Sequence, residues 1–240
     1  MKTSPGRKST IDEIRARFDA DVERFSNLET GQQAVLDAPL MLELISQAAA
    51  RINPGAVNLL DIGSGAGNNT IAILRLLPGL DCDLVDLSLP MLRRARERLA
   101  RENVGEVRVF HGDFRDADLP SSHYDITVAA AVLHHLRDDA DWESCFRKIY
   151  GLMKPGGVFL VSDMVWSGSP ALHAIEYERY GAYLESLGGA DYREKVFAYI
   201  DREDTPRSVS YQLELMKECG FKETDVLHKN ACFAAYAGIK

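Results

Sequence analysis

The stretch Leu59-Leu60-Asp61-Ile62-Gly63-Ser64-Gly65-Ala66-Gly67-Asn68-Asn69-Thr70 runs from an apolar strand through a glycine-rich turn into a polar helix start. Glycines without a Cβ let a ligand pack directly on the chain, and the N–H groups of such a turn are free to bind polar atoms. A tight strand-to-helix connection is the plainer alternative. A dinucleotide fingerprint would need a third glycine at residue 68, which is Asn68, and Asp61 just before the turn would repel a pyrophosphate. The loop therefore reads as a seat for a cationic or hydroxyl-bearing group rather than for phosphate.

Outward from this loop, short apolar runs alternate with helical patterns. The runs are Val57 to Ile62, Cys82 to Val85, Val107 to Phe110, Tyr124 to Ala131 and Val158 to Val161; the helices are Asn68 to Leu77, Pro90 to Glu102 and Asp141 to Met153, the last stopping at a turn over Lys154-Pro155-Gly156-Gly157. That alternation predicts an α/β fold with a mostly parallel sheet built by right-handed crossovers. Upstream, Ile11, Ile14, Phe18, Val22 and Phe25 form one stripe of an amphipathic helix, Asn27 to Gln33 reads as a loop, and Leu36 to Ile52 as a second helix. Downstream, the Tyr- and Glu-rich residues 166–205 predict a helical insertion. Thr205-Pro206 predicts an N-cap, Gly220 a helix stop, and Thr224 to His228 and Cys232 to Ala237 the closing strands. The expected organisation is an N-terminal helical cover over residues 1–35 and a main domain over 36–240.

Of the 240 residues 46% are apolar and 27% charged, an ordinary globular composition. The net charge of −8 disfavours a large nucleic-acid footprint; tRNA is a conceivable but disfavoured partner, and a small-molecule substrate is expected. Apolar runs are far short of the ~20 residues a bilayer span needs, and the first ten residues lack the apolar segment of a secretory leader, so cytoplasmic residence is expected. The four cysteines have no C-x-x-C spacing, which predicts packing thiols and no metal site. The arginines 93, 94, 96, 98 and 101 read as a solvated helix face. A homodimer is compatible with the sequence.

Two further acids follow the second and third strands. Asp86 can accept both hydroxyls of a ribose or cap the helix near Pro90; Asp113 can accept from an adenine amino group with Phe114 over the ring, or serve a turn. With Asp61 they place carboxylates after three successive strands, at the edge where open α/β sheets bind ligands. The set Asp61-x-Gly63-x-Gly65-x-Gly67, Asp86, Gly112-Asp113, Ala129 to Leu136 and Leu152-x-x-Pro155-Gly156-Gly157 resembles the class I S-adenosylmethionine-dependent methyltransferases over about residues 55–165.

The resemblance implies a Rossmann-like seven-stranded sheet with an antiparallel last strand, and S-adenosylmethionine across the strand ends. It implies that Asp61, Gly63, Ser64 and Gly65 border the methionine part, that Asp86 takes the ribose, and that Leu87 and Met91 flank the adenine. Asp113 and Phe114 would read the adenine edge, and the Ala130 backbone would face the methionine. No general base is identified: His134 and His135 after the fourth strand and Asp163 after the fifth are candidates, each with a structural alternative. Tyr177, Tyr180 and Arg193 in the insertion are candidate acceptor-pocket residues, although the tyrosines read more readily as a structural aromatic stripe and Arg193 has a solvated surface arginine as its alternative. A weaker likeness, in Arg17-Phe18-Asp19, Tyr192-Arg193-Glu194 and Phe233 to Gly238, is to carboxy-S-adenosylmethionine synthases, where an arginine such as Arg193 would hold an added carboxylate. Gln32-Gln33 and Ala130 depart from that pattern. A non-catalytic module that binds the cofactor is a third reading.

Overall fold

The computed structural model describes residues 7–27 and 31–240. Seven strands, β1 (Asn58–Ile62), β2 (Asp81–Asp86), β3 (Val107–His111), β4 (Tyr124–Ala130), β5 (Met153–Met164), β6 (Glu223–Asn230) and β7 (Phe233–Ile239), form one sheet in the order β3-β2-β1-β4-β5-β7-β6. All are parallel except β7, which runs antiparallel to both β5 and β6. The expected α/β class, the parallel order and the antiparallel last strand are as observed. Strands β1 and β4 are buried on both faces, as the unbroken apolar runs required.

The helices are α1 (Ile11–Ala20), α2 (Val22–Ser26), α3 (Ala38–Ile52), α4 (Asn68–Leu74), α5 (Leu89–Leu99), α6 (Asp139–Leu152), α7 (Pro170–Glu203) and α8 (Val209–Cys219). One face of α3 buries Met41, Ile45 and Ala49 in the core on one side of the sheet. On the other side Trp142, Phe146 and Ile149 of α6 pack with Phe159 and Phe221.

Several local expectations are corrected. The amphipathic stripe over 11–25 is two helices, because Asp21 leaves the helical region and its N–H closes the turn on the Phe18 carbonyl. The Lys154-Pro155-Gly156-Gly157 segment is a bulge within β5 rather than a turn before it: Tyr124 pairs with Met153 and Ile126 with Val158. The N-cap of α8 is Ser208, whose hydroxyl accepts from Tyr211 N at 3.2 Å. Thr205 instead ties the chain to the turn after β4, donating its hydroxyl to the Leu136 carbonyl and its N–H to the His134 carbonyl at 2.8 Å. The insertion is helical but folds back on itself at Gly188-Gly189, where Gly189 has φ 78°; Tyr177 thereby stacks on Phe197 at 4.0 Å. The predicted loop from Asn27 lies partly outside the described residues, at 28–30. Among the described residues no helix is long and apolar enough to cross a membrane.

Candidate active site

Gly63 leaves β1 with φ +67°, and an added Cβ there would stand 2.7 Å from Val132. The Gly63 and Ser64 N–H groups donate to the Val85 carbonyl at 2.8 and 3.1 Å, which fixes the turn against the end of β2. Asp86 completes it from that strand, accepting from Gly65 N at 2.7 Å through one oxygen and from Ser88 N at 2.8 Å through the other. The loop is also braced from α5. Arg98 donates to the Ala66 carbonyl at 2.5 Å and to Asn68 Oδ1 at 2.7 Å, so this arginine is not part of a freely solvated face. Arg94 does stay at the surface, paired with Glu23 and Glu97.

Asp61 is fully buried. Its Oδ2 accepts from the Thr70 hydroxyl at 2.6 Å, whereas Oδ1 has no partner. Burial, with the nearby Asp86 charge adding to it and the Thr70 bond opposing, pushes its carboxyl up to about 7. Burial also raises Asp86, against the two N–H bonds that it accepts. Two carboxylates held out of water, one with an orphaned oxygen, fit a ligand that brings hydroxyls and a positive charge.

A cavity of about 230 Å³ opens at these strand ends. Gly63, Asp86, Leu87, Asp113 and Phe114 line it, with Ile11 and Ile14 of α1 above and Leu133, His135 and Arg137 at the far end. Asp61, Ser64, Gly65, Met91 and Ala130 are not among its lining residues. Asp113 is drawn into an ion pair: Arg115 meets it through both Nε and Nη2, at 3.0 and 2.7 Å, and also reaches Asp141 at 2.7 Å. Although burial opposes it, that guanidinium holds Asp113 below the usual carboxylate range.

After β4 a 3₁₀ turn, Leu133–His135, sets two imidazoles side by side with centroids 4.2 Å apart. Asp163 at the end of β5 accepts from Leu133 N at 2.7 Å and meets His134 Nδ1 at 2.5 Å. Asp204, just past α7, lies 3.7 Å from His134 Nε2 and 3.3 Å from His135 Nδ1. Burial lowers His134, but Asp163 and Asp204 outweigh it and bring it up to about 9. His135 is lowered by burial and by His134. Asp204 was not singled out in the sequence, where an acid before Thr-Pro carries no distinguishing pattern.

The insertion residues are elsewhere. Arg193 pairs with Glu185 at 2.5 Å, Tyr177 stacks on Phe197, and the buried Tyr180 donates its hydroxyl to the Ala34 carbonyl at 2.9 Å; none lines the cavity. The N-terminal helix, by contrast, lies at the site. A capping box starts it, Thr10 N donating to Glu13 and Glu13 N to Thr10. It is held by Asp19, which accepts from the Ser88 hydroxyl at 2.6 Å, and by Arg17, which pairs with Glu203 at 2.7 Å.

Residues 60–159 match the family described as "Methyltransferase domain". The chain is 27% identical over 184 residues to a carboxy-S-adenosyl-L-methionine synthase of Nautilia profundicola, covering 76% of each. It folds like human N-acetylserotonin methyltransferase in complex with S-adenosylmethionine, with a TM-score of 0.63 and 19% identity over 98% of this chain. Residues 60–159 are thus a methyltransferase domain, and the chain around them has the fold of class I S-adenosylmethionine-dependent methyltransferases. It is also 33% identical over 116 residues to the uncharacterized methyltransferase Rv0089 of Mycobacterium tuberculosis, covering 48% of this chain and 55% of that one. A second solved methyltransferase, Haemonchus contortus phosphoethanolamine N-methyltransferase 2, superposes with a TM-score of 0.68 at 17% identity. The chain spans 63% and 60% of the lengths of the human and Haemonchus proteins.

Proposed function

We propose that this protein transfers the methyl group of S-adenosylmethionine to a small-molecule acceptor held between the strand ends and α1. The observation that carries this reading is that buried Asp61 keeps an unpartnered Oδ1 at the end of β1 while Asp86, at the end of the neighbouring β2, lines the cavity. S-adenosylmethionine supplies a methyl group on a positively charged sulfur that leaves neutral, so the chemical driving force resides in the cofactor. The protein's part is alignment, worth roughly 7–11 kcal/mol where reactants are held in register. Asp86 accepts the ribose hydroxyls with its remaining lone pairs, and Asp61 Oδ1 faces the cationic end. Leu87 and Phe114 supply apolar walls for the adenine, and Ile11, Ile14, Leu133 and Leu136 an apolar acceptor end.

A methyl-label screen against small-molecule, tRNA and protein fractions tests the reading; label entering only the small-molecule fraction supports it, and label in tRNA or protein alone overturns the acceptor class. Carboxy-S-adenosylmethionine synthesis is the second reading, favoured by the 76% coverage of the Nautilia protein. Arg193, paired with Glu185 away from the cavity, does not support it. Mass spectrometry of the ligand retained on purification separates the two, since an added carboxyl mass belongs only to the synthase. A module that binds the cofactor without turnover would label nothing.

Binding a cation beside Asp61 favours its ionised form, so the complex holds this carboxyl below the value of about 7 that it has in the free protein. Cofactor binding therefore releases a proton, and affinity rises with pH up to about 7 and levels off above it. Below that point the loss approaches tenfold per pH unit. Calorimetry with S-adenosylmethionine, whose sulfur carries the charge, in buffers of different ionisation enthalpy reads this directly; an affinity flat from about pH 5.5 to 8 overturns the assignment.

The N-terminal helices act as the cover of the site. The cavity of about 230 Å³ is below the roughly 300–1,000 Å³ of sites that enclose drug-sized ligands, so α1 must lift to admit the cofactor. Limited proteolysis is expected to cut near α1 several-fold more slowly with S-adenosylhomocysteine bound. Equal rates would remove the cover role.

A further inference from the structure

We infer that His134, His135 and Asp204 form a binding site for a divalent transition-metal ion of the zinc class at the acceptor end of the cavity. The three residues each offer one donor atom, and these atoms all lie within 4.8 Å of one another. Two separations to Asp204 Oδ1 bear on the geometry. Zinc bonds to nitrogen and oxygen of about 2.0–2.2 Å at tetrahedral angles place neighbouring donors roughly 3.3–3.6 Å apart. Asp204 Oδ1 stands 3.3 Å from His135 Nδ1, within that spacing, and 3.7 Å from His134 Nε2, about 0.1 Å beyond it, so a small side-chain adjustment closes the set.

An ordinary ion network explains the cluster less well. Buried polar atoms are nearly always hydrogen-bonded, yet Asp204 Oδ1 and both ring nitrogens of His135 are buried and have no hydrogen-bond partner. The Asp204 side chain is 2% exposed. One ion would satisfy Asp204 Oδ1 and His135 Nδ1 together. His134 is already prepared as a ligand: its Nδ1 meets Asp163, which itself accepts from Val132 N, Leu133 N and Met164 N. That is the carboxylate–histidine arrangement that orients a ligating imidazole and leaves Nε2 to the metal. Of the cations nearby, Arg17 pairs with Glu203, and Lys8 is held by the Asp201 and Asp204 backbone carbonyls at 2.7 and 2.6 Å. The three ligands come from the turn after β4 and from the end of the helical hairpin, so an ion there would clamp the insertion to the sheet. Because His135 lines the cavity, the ion would also border the acceptor.

The full chain, dialysed against a chelator, is titrated with Co²⁺ while visible absorption is followed, and zinc is then used to displace it. One equivalent with a low-symmetry, intense Co²⁺ spectrum is expected, and Asp204→Asn and His135→Gln should each weaken zinc binding by at least tenfold. Circular dichroism verifies the fold of each variant, and the two substitutions are read separately so that an unfolded one does not decide the matter. No stoichiometric binding, or binding unchanged in both folded variants, overturns the site. S-adenosylhomocysteine affinity is measured on the same samples: cofactor binding without metal uptake ends the metal proposal alone, and metal uptake without cofactor binding ends the cofactor assignment alone.

Discussion

Gly63→Ala is expected to destabilise the protein by about 2–5 kcal/mol and to abolish measurable cofactor binding. A residue with a Cβ at φ +67° carries a cost of roughly 1–2 kcal/mol, and forcing a methyl into filled space adds roughly 1–3 kcal/mol. The new Cβ would fall 2.7 Å from Val132 Cβ and Cγ2, atoms of a short β-branched side chain that cannot swing away as a lysine tip could. Shifting the turn to relieve the clash would strain the Gly63 and Ser64 bonds to Val85 O and the Gly65 bond to Asp86. Thermal denaturation of Gly63→Ala, Val132→Gly and the double variant separates the two contributions. The double variant should recover the clash and keep the backbone cost, so a double variant no more stable than Gly63→Ala would show that Val132 is not the obstacle.

Asp86→Ala should weaken S-adenosylhomocysteine binding by roughly 10–100-fold, since it removes charge-assisted hydrogen bonds of about 1.5–3 kcal/mol. Asp86 also holds the Gly65 and Ser88 N–H groups, and part of the loss will come from a looser loop. Asp86→Asn keeps one carbonyl acceptor for the loop and should lose less. Unchanged affinity by calorimetry in a folded Asp86→Ala protein would remove the ribose assignment.

The parallel part of the sheet was readable because its strands carry short apolar runs, and because buried parallel strands leave little room for polar residues. The acids stood out for the same reason in reverse: Asp61 interrupts such a run near its end, and Asp86 and Asp113 come within three residues after one. Fine boundaries were less legible. The Lys154 to Gly157 bulge carries turn residues that read the same whether they sit before a strand or inside it. The Thr205 cap was misplaced because Thr205 is drawn to the Leu136 and His134 carbonyls, a contact with a segment about 70 residues earlier in the chain.

What the sequence determined by itself is the order of strands and helices and the acids at the tips of β1, β2 and β3, since these depend on periodicity and on neighbours along the chain. Tertiary structure alone decided the rest of the site. It sent Arg98 back to the glycine loop, turned Arg193 and the insertion tyrosines into hairpin packing, and brought Asp204 to within 3.3 Å of His135. Apart from Arg193 and Glu185, eight positions apart, those pairings join residues tens of positions apart, and no local propensity records them; they exist only once the chain has folded and the buried polar atoms must find partners where the fold has left them.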